Sequence, residues 1–372
     1  MANRHFNVVE LYAGTARTVE PFRQWKRAKI ALLVDKDQFA ADTYLANYPK
    51  APYLVRDLAR ITPDQIKERA GGKVDILLGC PPCQGYSDAG SRNLRDPRNE
   101  HISVFRHFAE KLKPMAIAME NVPLAAILGL RFKRFYNAIE RLGYRSTWGM
   151  VNAALHGSAQ CRHRLIYIAI RGDFGVDPVI PPPSHGGMGQ YFNYSTQQMG
   201  GIEDDPTAML SRPPGVLRAR EMLYLEKEKG KLPIPTIGEV INDLPPVDSS
   251  EAKELSHFAW NHTRQMKRRM AAVPEGGRWK GGKDHFSHSY GRLHRHGLAR
   301  TITTFFPNPG SGRFWHPTQE RTLSIREAAR LQGFPDSFRF LPESTNTTRL
   351  IGNALDASLA KLAYLAVRNS LE

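Results

Sequence analysis

The chain has 372 residues, enough for one large or two medium domains with a proper core. Lys plus Arg number 52 against 36 for Asp plus Glu, a formal net charge of +16. No apolar run approaches the ~20 residues that a membrane span needs, and the polar start leads straight into a strand, so neither a membrane protein nor a signal peptide is expected. A basic excess of this size suits a polyanion, because Lys and Arg lining a groove release counterions from phosphate. The only cysteines are Cys80, Cys83 and Cys161, which fits a reducing, cytoplasmic setting. Cys80 and Cys83 form a Cys-x-x-Cys, a spacing shared by redox pairs and half zinc sites. A second close pair of ligands is absent from the sequence, so no metal is expected.

Over the first 170 residues strand-like and helix-like patterns alternate, predicting a mainly parallel α/β sheet with helices on both faces. Phe6 to Leu11 reads as the first strand and Ile30 to Val34 as the second, followed by a helix over Gln38 to Tyr48. After a short strand at Tyr53-Leu54-Val55, a helix opens at Thr62-Pro63-Asp64-Gln65, with an N-cap threonine, proline in the first position and glutamine in the third. Val74 to Leu78 reads as a buried parallel strand, Ile102 to Leu112 as a helix, Met115 to Met119 as a strand and Leu165 to Ile170 as a late buried strand. Pro178, Pro181, Pro182 and Pro183 with Gly186, Gly187 and Gly189 then mark a boundary. The stretch to about 320 is rich in Gly, Pro and His and poor in periodic runs. Between 251 and 300 it holds 11 Lys/Arg against 4 Asp/Glu, with Trp279, Phe286 and Tyr290 interleaved among Arg264, Lys267, Arg268, Arg269, Arg292, Arg295 and Arg300. That composition fits a loop-rich nucleic-acid reader. Ser324 caps a helix to Leu331, with Glu327 completing a capping box, and Leu355 to Arg368 forms a last amphipathic helix that returns to the first domain.

Two strand ends carry the chemistry. Gly79-Cys80-Pro81-Pro82-Cys83-Gln84-Gly85-Tyr86-Ser87 follows the strand at 74–78, and its prolines fix a rigid turn that holds a thiol where open α/β sheets place their ligands. Met119-Glu120-Asn121-Val122 follows another apolar run. A nucleophile at one strand end and a carboxyl at its neighbour suit attack on an electron-poor ring, the acid protonating a ring nitrogen as the thiolate adds to carbon. The first strand ends in Tyr12-Ala13-Gly14-Thr15-Ala16-Arg17, a turn whose backbone N–H groups can meet a ligand closely. Asp35 ends the second strand, where a carboxylate accepts ribose hydroxyls in nucleotide-binding folds.

The Pro-Cys-Gln and Glu-Asn-Val pair resembles the DNA cytosine-5 methyltransferase family. Further matches run in order along the chain: Glu10-Leu11-Tyr12-Ala13-Gly14, Gln160-Cys161-Arg162-His163-Arg164, Arg326-Glu327-Ala328-Ala329-Arg330-Leu331-Gln332-Gly333-Phe334-Pro335 and Gly352-Asn353-Ala354. Each motif alone is weakly specific; five in this order are not. The resemblance implies a doubly wound, Rossmann-like catalytic domain over 1–175, a smaller target-recognition domain over 176–320, and a segment 321–372 that returns to the catalytic domain. It implies S-adenosyl-L-methionine as methyl donor and a flipped-out cytosine in double-stranded DNA as acceptor. On this basis Cys83 attacks carbon 6, Glu120 serves ring nitrogen 3, Arg164 contacts oxygen 2, and Arg162 holds phosphate or positions the thiol loop.

The resemblance also places Tyr12, Ala13 and Gly14 around the adenosyl group, with Asp35 on the ribose and Asp57 on the adenine amine. Lys36, Leu58 and Pro82 complete that pocket, and Asn353 closes over the methionine part. Gln84, Ser87, Arg92, Arg95 and Arg98, on the loop after Cys83, would clamp DNA, as would Arg268 and Arg269. Five positions depart from the family pattern: Ala16 and Arg17 stand in glycine places, Lys36 in an apolar or aromatic one, His101 where leucine is common, and Leu355 where valine is usual. A tRNA-methylating relative would carry Cys-Phe-Thr and a much smaller reader region, neither of which is seen here. A non-catalytic binding protein of the same fold is favoured by the altered loop and opposed by the intact Cys83, Glu120 and Arg164. The chain is expected to act as a monomer without a required protein partner, beside a cognate endonuclease if it serves restriction-modification.

Overall fold

A computed structural model describes residues 5–82, 100–127, 130–186, 231–281, 289–341 and 344–372. Nine strands are present among them: β1 (Phe6–Leu11), β2 (Ala28–Asp35), β3 (Tyr53–Val55), β4 (Ile76–Gly79), β5 (Ala116–Asn121), β6 (Tyr144–Asn152), β7 (Gln160–Cys161), β8 (His163–Arg171) and β9 (Ala299–Arg300). Seven form one sheet in the order β3-β2-β1-β4-β5-β8-β6. β1 to β5 pair in parallel, and apart from the half-buried edge strand β3 their apolar runs are buried on both faces, as a parallel sheet covered by helices requires.

β8 makes the sheet mainly, rather than wholly, parallel, as expected. It lies antiparallel to both β5 and β6, because only the short 153–162 connection separates it from β6 and no crossover helix intervenes. Its six consecutive buried residues, Leu165 to Ile170, carry no mark of strand direction. β5 also runs two residues further than expected, so Glu120 and Asn121 belong to the strand rather than following it.

Helices cover both faces. On one, His101–Leu112 and Leu130–Arg141 bring Phe105, Phe108, Phe132, Phe135 and Ile139 against Leu77, Ile117 and Tyr167. On the other, Phe22, Tyr44 and the final helix Ala357–Leu371 pack over Val8, Leu33, Ile76 and Ala118. The two capping boxes expected at Thr62/Gln65 and Ser324/Glu327 are both formed. No single described helix is long and apolar enough to cross a membrane.

β1 has β2 and β3 on one side and β4 and β5 on the other, so the chain reverses its direction of build between β1 and β4. The crevice at the carboxyl ends of those two strands is where such sheets bind ligands. Segments distant in sequence are drawn to this edge by the hairpin 158–163. Gln160 Nε2 donates to Leu331 O at 3.1 Å and to Gln332 Oε1 at 3.0 Å, while its Oε1 accepts from Ile302 N at 2.7 Å. Arg162, almost fully buried, donates to the carbonyls of Ile302 (3.2 Å), Gly352 (3.3 Å) and Ala354 (3.2 Å). Ser158 completes the junction by donating to Asp356, the N-cap of the final helix, at 2.7 Å.

Ile237, Leu293, Ile302, Phe306 and Phe314 join the core on this face of the sheet. Met270, Val273 and Trp315 form a satellite cluster with Met266, Trp279 and Tyr290 against it.

Two substitutions test this junction. A Cβ at Gly352 would stand 2.5 Å from Thr304 N and 2.6 Å from Thr303 C, backbone atoms that cannot swing aside. Gly352→Ala is therefore expected to lower stability by about 1–3 kcal/mol in urea unfolding; an unchanged midpoint would mean that 303–304 is not held there. Arg162→Met strips the donors from three buried carbonyls and is expected to cost about 1.5–3 kcal/mol in the same measurement. A loss of activity at full stability would instead assign Arg162 a direct part in the chemistry.

Candidate functional site: the crevice at the strand ends

The reacting end is built by β4, β5 and β8. Glu120 pairs across the antiparallel ladder with Ile166, so Arg164, two residues away on β8, lies on the same face. Its Nε reaches Glu120 Oε1 at 2.7 Å, and both side chains are mostly buried, 13% and 14% exposed. The guanidinium is steadied by a bond from Nη1 to His163 O at 2.7 Å. Asn121, next to Glu120, donates from Nδ2 to Pro81 O at 3.2 Å and accepts from Val122 N through Oδ1 at 2.8 Å. Asn121 thus ties the end of β5, which carries Glu120, to the turn Pro81-Pro82 that leads into Cys83. Cys83 itself, with Gln84, Ser87, Arg92, Arg95 and Arg98, lies outside the described residues.

Arg162 is turned to the protein backbone. Its guanidinium is spent on the three carbonyls of the junction, and burial together with the neighbouring Arg164 disfavours its charge. Of the two roles expected of it, phosphate contact or positioning of the thiol loop, the described contacts bear on neither directly: they form a structural clamp whose partners lie 140 to 192 residues further along the chain.

The second half of the crevice is the loop after β1. Tyr12, Gly14 and Ala16 all take positive φ, at 58°, 51° and 51°. Ala16 therefore adopts the left-handed conformation that glycine takes without penalty, and the loop turns as a glycine-rich one would. Gly14 is held from both sides: its N–H donates to Asp35 Oδ2 at 2.8 Å, and its carbonyl accepts from Tyr53 OH at 2.7 Å. A Cβ on Gly14 would meet nothing within 4 Å, so the loop opens on that side. Asp35 Oδ1 accepts from Asp37 N at 3.0 Å, leaving further lone pairs on the carboxylate for a ligand hydroxyl. Burial pushes the Asp35 carboxyl up, against the hydrogen bonds from Gly14 and Asp37.

Arg17, the second departure in this loop, is buried and points away from the crevice. It donates to Gly333 O at 2.7 Å and lies over the Phe334 ring, 4.6 Å from its centroid. Arg349 forms an ion pair with Asp37, the N-cap of the helix after β2. The two arginines pin the C-terminal motifs to the β1 and β2 loops. Asn353 ends the helix that carries Arg349 and is exposed.

Tyr12 brings in a residue noted in the sequence only as a departure at a helix start. Its hydroxyl is 3.2 Å from His101 Nδ1, and the two rings meet edge to face at 5.3 Å. Burial lowers the His101 pKa, and Lys36 lowers it further while Asp57 opposes. Asp57 and Asp35 both raise the Tyr12 phenol, after burial, so all five groups share one neighbourhood. Lys36 is exposed, Leu58 and Ala13 are buried, and Asp57 caps the turn 58–60 by accepting from Ala59 N at 3.0 Å.

The described part of 176–320 alters the expectation for its aromatics. Trp279 and Tyr290 are packed edge to face at 5.6 Å, and Tyr290 meets buried Trp315 at 6.3 Å, so they form core rather than a stacking platform. Phe286 lies outside the described residues. Arg292 is buried and donates to the carbonyls of Val273, His316, Pro317 and Gln319, Arg295 pairs with Glu275, and Arg269 covers the Trp279 ring at 4.3 Å. Arg264, Lys267 and Arg268 stand exposed on the helix Arg264–Ala271.

Comparison with known proteins agrees with this geometry. The sequence profile of the C-5 cytosine-specific DNA methylase family matches residues 6–365. Type II methyltransferase M.DdeI of Desulfomicrobium norvegicum is 27% identical, over 95% of this chain and 86% of its own. Type II methyltransferase M1.HphI of Haemophilus parahaemolyticus is 28% identical, over 90% and 80%. Among solved structures, a putative DNA modification methyltransferase from an Escherichia coli prophage superposes with a TM-score of 0.67 at 20% identity, covering 98% of this chain and 99% of that one. A DNMT2 variant of Spodoptera frugiperda gives 0.64 at 16% identity, covering 99% and 100%. With a profile match that spans the sheet, both halves of the crevice and the returning C-terminal helix, the chain belongs to the C-5 cytosine-specific DNA methylase family.

Proposed function

We propose that the chain transfers a methyl group from S-adenosylmethionine to carbon 5 of a cytosine flipped out of duplex DNA. The observation that carries this reading is the Glu120–Arg164 pair, fixed at 2.7 Å beside the turn that enters Cys83, in a sheet whose β1 and β2 ends carry the Asp35–Gly14 cradle.

The cradle residues fit the donor. Asp35 keeps acceptor capacity for ribose hydroxyls, Gly14 opens on one side, and Tyr12 and Asp57 lie together at the ends of β1 and β3. When bound there, the donor supplies an electrophilic methyl group. Leu58, Pro82, Ala13, Lys36 and Asn353 complete the pocket in this reading.

Cytosine carbon 5 is a poor nucleophile toward such a methyl group. Thiolate addition from Cys83 at carbon 6 makes it electron-rich, which is covalent catalysis. Glu120 protonates or strongly hydrogen-bonds ring nitrogen 3, and Arg164, held by its ion pair, contacts oxygen 2. A base within a duplex is out of reach of the thiol, so flipping is required. Gln84, Ser87, Arg92, Arg95 and Arg98 clamp the strand that has lost its base from the stack. The 176–320 region carries sequence recognition between the catalytic segments 1–175 and 321–372, and Arg264, Lys267 and Arg268 are its exposed phosphate contacts among the described residues. The protein acts in the cytoplasm as a monomer, and a cognate endonuclease would make it half of a restriction-modification pair.

Labelled S-adenosylmethionine incubated with mixed-sequence DNA and the purified chain tests the reading directly. Transfer to cytosine carbon 5 is expected; binding of donor and DNA without transfer would leave a non-catalytic regulator, and transfer to tRNA alone would move the substrate class. Cys83→Ser is expected to abolish transfer while leaving the donor dissociation constant nearly unchanged, and full turnover in that variant would remove the covalent mechanism. Asp35→Ala is expected to weaken donor binding by about 1.5–3 kcal/mol in calorimetry, the range for a hydrogen bond to a charged group.

A further inference from the structure

One buried carboxyl has no part in the proposed methyl transfer. Glu10, on the central strand β1, is 1% exposed, and its Oε2 has no hydrogen-bond partner. Sheet register explains what lies beside it. Glu10 pairs with Leu78, and Leu78 with Ala118, so Glu10, Cys80 two residues beyond Leu78 and Glu120 two beyond Ala118 share one face of three adjacent strands. Thr18, also buried, reaches down from the loop after β1. Its hydroxyl stands 3.5 Å from Cys80 Sγ, and the same face brings Thr18 beside the Glu10 carboxyl and Cys80 beside Glu120. Three exchangeable groups, Glu10, Thr18 and Cys80, thus line one face between the core and the Glu120–Arg164 pair.

We propose that Glu10, Thr18 and Cys80 are an internal proton relay to Glu120, with Glu10 as the store. The relay rests on the proposed methyl transfer, in which Glu120 must carry a proton for ring nitrogen 3 while the bound cytosine covers its open side. The transfer is a concerted shift. The Glu10 O–H bond breaks as its proton passes to Thr18 Oγ1; Thr18 gives its hydroxyl proton to Cys80 Sγ; Cys80 gives its thiol proton to a Glu120 oxygen. One O–H bond is lost at Glu10 and one gained at Glu120, no electrons change hands, and the same path run backwards restores the store after elimination.

The protonation states fit a store that is filled at neutral pH. Burial pushes Glu10 up to about 8, with Glu20 and Asp35 adding to the effect and Thr18 and the Val19 backbone opposing it. The Tyr44 and Tyr53 phenols, which also face Glu10, are themselves pushed up by burial and so remain neutral. Burial first, then Glu120 and Glu10, push the Cys80 thiol well above its ordinary value, so it stays a donor. Glu10 therefore holds its proton below about pH 8 and loses it above.

The Cys80 pair of variants carries the test, because the side chain is small and sits at the edge of the core. Cys80→Ala cuts the path and is expected to slow single-turnover methyl transfer about tenfold or more, within the range of proton-transfer effects. Cys80→Ser keeps an exchangeable proton and is expected to stay within about twofold of the wild type. Dissociation constants for S-adenosylmethionine and DNA should not move in either variant. Glu10→Gln should remove the limb of the pH–rate profile that falls near pH 8. A Cys80→Ala protein with wild-type rate and pH profile overturns the relay, as does Cys80→Ser failing equally. Infrared titration separates this from the functional reading: a protonated-carboxyl band that disappears near pH 8 and is missing in Glu10→Gln shows the store whether or not methyl is transferred. Its absence from the wild type overturns the relay even where transfer proceeds.

Discussion

Everything at the catalytic edge depends on the hydrogen bonds that Gln160 and Arg162 make from one short hairpin. Their partners, Ile302, Leu331, Gln332, Gly352 and Ala354, belong to segments 140 to 192 residues away. A buried guanidinium offers several donors in a rigid fork, and carbonyls at segment ends are acceptors that no helix or ladder satisfies. Removing one side of such a contact leaves the other unsatisfied inside the protein, so the three segments stand or fall together. The hairpin also continues directly into Arg164. The residue that grips Glu120 is thereby set by the same few bonds that bring the C-terminal motifs back to the sheet.

The sheet decides the rest. Reversal of build order between β1 and β4 opens a crevice there, and the loop after β1 fills it with a Tyr12-to-Arg17 turn whose shape needs positive φ at three positions. One is glycine. At Ala16 the strain is of the order of 1 kcal/mol, and contacts on either side offset it: Arg17 anchors the loop to Gly333 and Phe334, and Asp35 with Tyr53 grips Gly14. A loop that has lost flexible residues has gained fixed contacts. Its adaptability is lower, but the geometry presented to a ligand is better defined.

Local signals were legible in the sequence. Thr62 with Gln65 and Ser324 with Glu327 announce their helices because a capping box is complete within four residues. The strand positions, and the placing of Glu120 and the Pro81-Pro82 turn at the ends of adjacent strands, follow from apolar runs and turn residues. What stayed hidden depended on partners far away in sequence. The direction of β8 is fixed by the short link to β6, not by its own residues. Arg162 looks like any charged residue until Ile302, Gly352 and Ala354 arrive beneath it. Trp279 and Tyr290 have the composition of a reader and the packing of a core, a distinction that only Trp315 and Met270 can make. Cys80 reads as half of a Cys-x-x-Cys, yet register across three strands puts it between Glu10 and Glu120.

Charge is subject to the same distinction. The +16 of the chain suggests a broad basic surface, but much of its arginine is turned inward. Arg17, Arg162, Arg292 and Arg326 are all buried on backbone carbonyls, and Arg295, Arg321 and Arg330 are paired with carboxylates. The number of phosphates such a protein neutralises sets the salt dependence of its binding, and buried guanidinium groups do not enter that count. On the helix Arg264–Ala271 the exposed cations recur at spacings of three and four, Arg264 with Lys267 and Arg268, which puts them on one face. Arg269, next in sequence, is turned to Trp279 instead. A phosphate-binding stripe here is therefore one helix face wide, and its register against DNA is set by the Trp279, Tyr290 and Trp315 packing beneath it.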